Sequence, residues 1–234
     1  REQGGGAALL SIPRDLWVEI PGRGEGKINA AYNGGPELLA RTVTQSLGVP
    51  IQHYVEIDFE GFRELVDTIG GVEICVFYAT KDDASGLNLQ PGCHTLNGEQ
   101  ALQYARSRQY EEFIDGEWRL DPTADLGRIE RQQRFVKAAV DGTLEEMEND
   151  PFAAGRLIDA VVASVRIDES IEPVDAAKSL RAAAQEGLRT VQLPVEGGTI
   201  GNESVVTMID GAEQILEYFR GEGRLPASAT TTDE

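Results

Sequence analysis

Arginine side chains concentrate in one part of this chain. Arg106 and Arg108 stand in the segment ARSR, and Arg128 and Arg131 follow in DLGRIERQQ. The chain as a whole is acidic, with a formal net charge of -19 from 21 Lys+Arg against 40 Asp+Glu, so a general excess of basic residues does not explain the cluster. The planar guanidinium group makes paired hydrogen bonds to phosphate oxygens and keeps its charge when desolvated. We therefore expect a local site for a compact anion such as phosphate or pyrophosphate.

The first arginine pair is predicted to lie on extended backbone. Side chains two positions apart point to the same side only in an extended segment. Arg106 and Arg108 are spaced in this way, so the helix that begins near Gly98 is expected to end around Tyr104.

The second arginine group is predicted to lie on a helix face. Asp125, Arg128 and Gln132 recur at i, i+3 and i+7, which places them on one face, with Asp125 in the first turn where negative charge is favoured. The alternative is a set of surface salt bridges, each of small worth. We adopt that alternative for Arg134 and leave Arg131 open.

A second candidate group follows the first predicted strand. Arg14 and Asp15 come directly after Pro13, and Lys27 opens the segment KINAAY. A carboxylate at the C-terminal end of a strand faces the crevice where α/β proteins bind ligands. Asp15 is thus a candidate ligand for a hard divalent cation or a proton acceptor, and Lys27 could offset phosphate charge. The alternative is a turn in which Pro13 ends the strand and Asp15 caps backbone amides.

Strand-like and helix-like segments alternate along the chain and predict an α/β fold, a layered α/β/α domain with a central mixed β-sheet. We expect one domain over residues 1–225 and a disordered tail or linker over 226–234. The segment 109–123 is predicted as a loop, either a binding lid or simple surface packing of its aromatic residues. The predicted strands cover residues 7–12, 52–57, 72–77 and 190–193. The predicted helices cover residues 37–47, 59–69, 125–141, 151–165, 173–186 and 210–220.

Composition excludes some classes of partner and leaves the redox compartment open. The acidic balance argues against nucleic-acid binding and against electrostatic adhesion to an anionic membrane. Cys75 and Cys93 are the only cysteines. A disulfide between them would stabilise the fold by roughly 3 kcal/mol and indicate an oxidising compartment. The alternative is two independent buried thiols.

These blocks together resemble the LytR-CpsA-Psr family. The resemblance runs from about residue 9 to residue 135, and the motifs appear in the family's order. The matching stretches are LLSIPRDLWVEIPG, KINAAY with GGPELL, HYVEIDFEGFRELVDTIGGVEI, LNGEQALQYARSR and DLGRIERQQRF.

The resemblance implies an extracytoplasmic, membrane-anchored enzyme of a Gram-positive, actinobacterial-type cell wall. Such a phosphotransferase moves a glycopolymer from a polyprenyl-pyrophosphate carrier to a peptidoglycan hydroxyl and forms a phosphodiester; arabinogalactan, teichoic acid and capsule donors share that pyrophosphate. Asp15 then matches the Mg²⁺ ligand, with Mn²⁺ as an alternative ion. Arg106, Arg108, Arg128 and Gln132 match the pyrophosphate-holding set, which Asp125 positions, with Arg14 and Lys27 as weaker members. The resemblance to actinobacterial members also implies the Cys75–Cys93 disulfide.

Two features depart from the family pattern. Many members have an Asp before the KIN lysine as a second metal ligand, whereas this chain has Gly26, with Glu25 as the candidate substitute. The family's amino-terminal segment, which carries a transmembrane helix and the first strand, is not in this sequence. If Arg1 is not the natural start, we expect the protein to be anchored through that helix; if it is, the domain is incomplete.

A lipid substrate also needs an apolar groove, although stripes of apolar residues are also typical of ordinary core. The candidate lining residues are Phe59, Phe62, Leu65, Val66, Ile69 and Val136.

Two other functions fit the same residues. A polyprenyl-pyrophosphate hydrolase would use water in place of the sugar hydroxyl, and the arginine site would serve it equally. A non-catalytic regulator of cell-wall assembly would bind polyprenyl phosphates without turning them over.

Overall fold

The structure, a computed structural model, describes residues 7–123, 125–149, 155, 159, 163–168, 170–172, 178 and 187–226. The chain divides into two compact units. The first unit contains residues 1–7 and 55–188, and the second contains residues 8–54 and 189–234. Within the described ranges, no helix has both the length and the apolar character needed to cross a membrane.

Over the ranges that the structure describes, the first unit combines helices with short antiparallel strands. Its strands are β4 (Val55–Glu56), β5 (Val72–Val76), β6 (Thr80–Asp82), β7 (Leu87–Leu89), β8 (Gly92–Leu96), β9 (Glu111–Ile114), β10 (Glu117–Leu120) and β11 (Arg166–Ile167); its helices are α2 (Phe59–Thr68), α3 (Gly98–Arg106) and α4 (Asp125–Asn149). The pairings are β5 with β8, β4 with β11, and a four-stranded sheet in the order β10-β9-β6-β7. Alternate residues of β5 face a core that also contains Tyr104 of α3 and Phe135 of α4.

The second unit is built in the same manner around its own core. Its elements are β1 (Ala7–Ser11), β2 (Trp17–Ile20), β3 (Gly24–Lys27), a 3-10 helix (Ile28–Gly34), α1 (Pro36–Leu47), β12 (Leu188–Gln192), β13 (Val195–Ile200), β14 (Glu203–Met208) and α5 (Ala212–Arg220). The pairings are β1 with β12, β2 with β3 and β13 with β14. A parallel bridge between Leu16 and Val206 joins the turn after β1 to β14. Leu16 is fully buried and packs with Leu47 and Leu216.

Local sequence signals account for the helix boundaries. Asn97 caps α3 and forms a capping box with Gln100, so that each side chain accepts the other residue's backbone N–H. The Asp58 side chain caps α2 by accepting the N–H of Gly61 at 2.9 Å. Pro36 opens α1, and Gly48 ends it with a φ of 73°, a left-handed conformation that favours glycine.

Several sequence predictions agree with these boundaries and others need correction. The mixed α/β class is confirmed, and its described strands pair in six small sheets. The strand predicted over 52–57 is reduced to Val55–Glu56, and the helix predicted to end at 141 continues to Asn149. The predicted loop 109–123 is wrong in its central part, because β9 and β10 form a hairpin there. The helices predicted over 151–165 and 173–186, and the tail over 226–234, lie mostly or wholly outside the described residues.

A side chain at Gly98 is expected to destabilise the first unit. A Cβ placed there would lie 2.7 Å from the Arg63 Cα and closer still to the Arg63 carbonyl oxygen. Because this neighbour is backbone, α3 must shift away from α2, and Gly98→Ala should lower the free energy of unfolding by about 1–3 kcal/mol. Gly142→Ala is the control, since the space around Gly142 in α4 is open and alanine there should stabilise by up to about 1 kcal/mol. Equal urea midpoints for the two variants would contradict this expectation.

Candidate functional site

The end of α3 carries the first two arginines of the candidate site. The helix does not end at Tyr104 as the spacing predicted, but continues to Arg106, and Ser107 is the first residue beyond it with a φ of -57° and a ψ of 127°. The prediction failed because it assumed that both arginines share extended backbone. Arg106 occupies the last helical turn, where a positive charge interacts favourably with the helix dipole. Arg108 follows in the turn, and both side chains are exposed.

Helix α4 contacts the end of α3 directly. The Gln132 Nε2 donates to the Ala105 carbonyl at 3.0 Å, and the Arg131 Nη2 donates to the Ser107 carbonyl at 2.8 Å. Arg128, which is half-buried, lies one turn before them on the same helix. The structure thus brings the two arginine groups together. Asp125 is the first residue of α4, and its side chain lies outside the described part of the chain.

Arg131, which the sequence left open, has a structural position. It is 6% exposed, its Nη1 forms an ion pair with the Asp121 carboxylate at 2.9 Å, and its guanidinium carbon lies 4.4 Å from the centre of the Tyr110 ring. Burial raises the pKa of Tyr110 to about 12, so its ring remains a neutral partner for the cation. Arg131 therefore connects α4 to the end of α3 through its hydrogen bond to Ser107. Arg106 and Arg108 are the exposed members of the cluster.

A buried carboxylate that the sequence did not single out anchors the turn of Arg108. Asp82, at the end of β6, is 1% exposed. Its Oδ2 accepts the Ser107 hydroxyl at 2.7 Å and the backbone N–H groups of Arg108 and Gln109, both at 2.9 Å. Burial alone would raise the pKa of Asp82, but these hydrogen bonds hold it below its ordinary value. The carboxylate is accordingly ionised at neutral pH.

Acid is expected to weaken the first unit through Asp82 and Asp121. The pKa of Asp121 is also lowered, since hydrogen bonds from Thr123 and Arg131 outweigh its burial. A carboxyl group with a lowered folded-state pKa adds stability above its unfolded-state pKa of about 3.9 and loses it as the pH falls through the folded-state pKa. The urea concentration at the midpoint of unfolding should therefore decrease as the pH is lowered below about 4. This decrease should be smaller in Asp82→Asn. Urea unfolding of the wild type and of Asp82→Asn at a series of pH values measures this decrease. An identical dependence of the midpoint on pH in the two proteins would contradict the assignment to Asp82.

The apolar residues proposed for a lipid groove separate into two groups. Val66 is a buried core residue, and Phe62 packs on Phe135 with ring centres 5.3 Å apart. By contrast, Phe59 is 58% exposed, and the Arg106 guanidinium carbon lies 4.6 Å from its ring centre. Val136 is also exposed. Leu65 and Ile69 are half-buried. Phe59 thus presents apolar surface beside Arg106 and orients its side chain by a cation-π contact.

A separate groove lies between the β9–β10 hairpin and α4. It has a volume of about 450 Å³. Its charged lining residues are Glu112, Arg119, Asp121, Glu130, Arg131 and Arg134. Three arginines face three carboxylates there, so the formal charges cancel. The groove is therefore less suited to a multiply charged anion than the exposed Arg106 and Arg108.

In the second unit, Asp15 lies among cations. Its Oδ1 is 3.4 Å from the Lys27 Nζ and its Oδ2 is 3.6 Å from the Arg14 Nε, with a quarter of the Asp15 side chain exposed. The Lys27 Nζ also lies 3.7 Å from the Glu203 carboxylate, a neighbour from β14 that no local pattern indicated. Glu25 stands two residues before Lys27 on β3, hence on the same face of the strand. Its side chain is exposed.

Cys75 and Cys93 are joined by a disulfide that links β5 to β8. The two residues are directly opposite in the antiparallel register, and both are exposed. Glu73 lies beside them, but bonded sulfurs do not serve as thiolate ligands. Such cross-links persist in oxidising compartments. This pairing excludes the alternative of two independent buried thiols.

The two units offer distinct chemistry. The first presents exposed guanidinium groups on anchored backbone, an arrangement suited to binding phosphate oxygens and stabilising charge on them. The second presents a partly exposed carboxylate with cationic neighbours, which is a hard oxygen ligand. The chain is thus a mixed α/β protein whose first unit presents a cluster of exposed cationic groups.

The chain belongs to the LytR_cpsA_psr family, whose model matches residues 2–220. It is 36% identical over 224 residues to the "Probable cell wall biosynthesis protein LcpB" of Corynebacterium glutamicum, covering 92% of this chain and 50% of that protein. It is 33% identical over 199 residues to the polyisoprenyl-teichoic acid–peptidoglycan teichoic acid transferase TagU of Oceanobacillus iheyensis, covering 82% and 58%. It is also 40% identical over 134 residues to the regulatory protein MsrR of Staphylococcus aureus, covering 55% and 37%. The chain thus spans about half the length of these curated relatives.

Solved structures agree on the fold. The LytR-Csp2A-Psr enzyme from Actinomyces oris superposes with a TM-score of 0.78 at 24% identity, covering 94% of this chain and 82% of that one. The structure of TagT bound to LI-WTA gives a TM-score of 0.70 at 24% identity, covering 92% and 78%. At these identities the likeness establishes the fold.

Proposed function

We propose that this chain is the catalytic part of a cell-wall glycopolymer ligase. It would transfer a phospho-glycopolymer from a polyprenyl-pyrophosphate carrier to a peptidoglycan hydroxyl. Family membership and the name of the TagU relative support the reaction class. The observation that carries the proposal is the pair of exposed arginines at the end of α3, held in place by α4. We assign substrate-binding roles to Arg106, Arg108, Arg128, Arg14, Lys27, Asp125 and Gln132.

The reaction exchanges one phosphorus–oxygen bond for another. The acceptor hydroxyl oxygen attacks the phosphorus that bears the glycopolymer, and the bond from this phosphorus to the bridging oxygen breaks. Polyprenyl monophosphate leaves with that oxygen, and the acceptor's proton passes to solvent or a base. Negative charge grows on the non-bridging and leaving oxygens, and preorganised guanidinium groups stabilise it. Arg106, Arg108 and Arg128 supply these groups.

Magnesium is the proposed ion, with manganese as its substitute. Mg²⁺ is commonly held by one or two carboxylates together with substrate phosphates, and carboxylates suit Mn²⁺ as well. Asp15 fits as one such carboxylate, since its side chain is partly exposed and lies close to cations that would also contact phosphate. Glu25 is the proposed second ligand. When bound, the ion would neutralise part of the phosphate charge.

The proposed location is the extracytoplasmic face of the membrane or the cell wall of a Gram-positive organism. The exposed disulfide supports an oxidising compartment. The names of LcpB and TagU refer to cell-wall biosynthesis and to transfer of teichoic acid to peptidoglycan, which also favours this location. The membrane anchor remains a proposal that rests on the family.

One incubation experiment distinguishes the three candidate functions of this chain, namely ligase, hydrolase and regulator. The chain is mixed with a polyprenyl-pyrophosphate-linked polymer and peptidoglycan, and the polymer attached to glycan is measured. Attachment supports the ligase. Release of polymer phosphate and lipid without attachment would replace it by the hydrolase. The similarity to MsrR favours a regulator as the second candidate, and retention of the intact lipid without turnover would support that function instead.

A further inference from the structure

Asp82 divides its two carboxylate oxygens between different parts of the chain. Its Oδ1 accepts the N–H groups of Ala84 and Ser85, at 2.9 and 3.2 Å, and so closes the local turn after β6. Its Oδ2 accepts three donors from Ser107, Arg108 and Gln109, which lie far along the sequence. The local turn needs only the first oxygen. The second oxygen serves the segment that carries the exposed arginines.

Ser107 is held from two sides. Its hydroxyl donates to Asp82, and its carbonyl accepts from the Arg131 Nη2 at 2.8 Å. The residue is fully buried, although its neighbours Arg106 and Arg108 are exposed. The backbone from which both arginine side chains leave is therefore fixed by hydrogen bonds to a buried anion and a buried cation.

We propose that Asp82 is a positioning residue for the anion-binding arginines, fixing the Ser107–Gln109 turn so that Arg106 and Arg108 bind a pyrophosphate from preset positions. This inference rests on the proposed function for the identity of the anion. A displacement of about 1 Å in a positioning group can cost on the order of 100-fold in rate. Fixed backbone also means that less conformational freedom is lost when the anion binds. Asp82 would act through the arginines without touching the ligand.

Asparagine at position 82 tests the carboxylate with little change of volume. An amide offers one oxygen and one NH₂ group, and the NH₂ group is a donor. In one orientation the new NH₂ group faces the three donors of Ser107–Gln109. In the other orientation it faces the N–H groups of Ala84 and Ser85. We expect Asp82→Asn to weaken binding of geranyl pyrophosphate by roughly 10- to 100-fold in isothermal titration calorimetry. Ser107→Ala removes one donor, keeps the charge, and should weaken it only a few-fold.

Asp67→Ala is the matched control, because Asp67 anchors the opposite end of the same helix. Its Oδ1 accepts the Gly98 N–H at 2.7 Å, and its side chain is exposed. Losing this bond should lower the melting temperature and leave the affinity for geranyl pyrophosphate unchanged. Hydrogen exchange adds an independent readout: the Arg108 and Gln109 amides should exchange faster in Asp82→Asn and at the normal rate in Asp67→Ala.

The outcomes separate this inference from the proposed function. Wild-type affinity in Asp82→Asn, or equal loss of affinity in Asp82→Asn and Asp67→Ala, would overturn the positioning role. So would a wild-type protein that does not bind geranyl pyrophosphate. If Asp82→Asn does not fold, wild-type affinity and amide exchange in Ser107→Ala would overturn it. A wild-type protein that binds the probe but attaches no polymer contradicts the ligase alone, and the positioning role stands.

Discussion

Replacing Arg108 with alanine is expected to lower kcat/KM for polymer transfer by roughly 100-fold, the cost of removing one preorganised group that stabilises transition-state charge. The side chain is exposed at the turn after α3, whereas its backbone N–H donates to Asp82 at 2.9 Å. Alanine keeps that backbone hydrogen bond. The variant therefore removes the guanidinium group and leaves its support in place, so the melting temperature should change little.

Lysine at position 108 separates charge from geometry. It restores the positive charge but not the planar pair of donors, and it should recover only part of the activity, to about 10-fold below wild type, since one charge-assisted hydrogen bond is worth ~1.5–3 kcal/mol. Arg63→Ala is the control, because Arg63 is a partly exposed arginine of the same unit that pairs with Glu60 and Glu99. It should keep full activity. Full activity in Arg108→Ala, or an equal loss in Arg63→Ala, would remove Arg108 from the site.

The parts of the site that could be read from the sequence are those specified by local spacing. The i, i+3, i+7 spacing of Asp125, Arg128 and Gln132 predicted one face of α4, and Gln132 of this face contacts the end of α3. This signal lies within two turns of a single helix. It grouped the arginines before any contact was known, although the spacing argument for Arg106 and Arg108 misplaced the end of α3.

The parts that could not be read depend on partners distant in sequence. Asp82 looks like an ordinary turn residue in KDDASG, and three of its five donors come from residues 107–109. The β9–β10 hairpin was missed for a different reason. Asp115 and Gly116 have φ values of 56° and 86° and make the tight turn that favours an Asp-Gly pair. The strands beside them carry charged residues on both faces, so alternation gave no clear period.

The arginine cluster also shows how an acidic chain can present exposed cationic groups locally. Asp82 and Asp121 are turned inward, where they accept hydrogen bonds from Ser107 and Arg131. Their charges are thus compensated within the scaffold, while the Arg106 and Arg108 side chains are exposed. The net charge of -19 describes the whole chain, and the local field at the end of α3 depends on where the individual charges lie.

Asp15→Asn is expected to abolish the response to Mg²⁺ and to lower polymer transfer by roughly 100-fold, if the Asp15 carboxylate holds the ion whose charge stabilises the transferring phosphate. Asparagine keeps the size of the side chain and one of its oxygen atoms. Its amide is neutral, so the ion pair that Asp15 forms with Lys27 at 3.4 Å is lost. Two readouts are needed: transfer rate against Mg²⁺ concentration, and Mn²⁺ binding followed by electron paramagnetic resonance without substrate turnover.

The control for Asp15 is Glu37→Gln, which removes an exposed carboxylate from helix α1 of the same unit. It should keep the Mg²⁺ response, the Mn²⁺ affinity and the activity of the wild type. The competing interpretation makes Asp15 a turn residue whose contacts with Lys27 and Arg14 only stabilise the fold. That interpretation predicts a lower melting temperature with the half-maximal Mg²⁺ concentration and the Mn²⁺ affinity unchanged. Because the two interpretations move different observables, an unchanged Mn²⁺ affinity in Asp15→Asn would reject the metal-ligand assignment even if the activity fell.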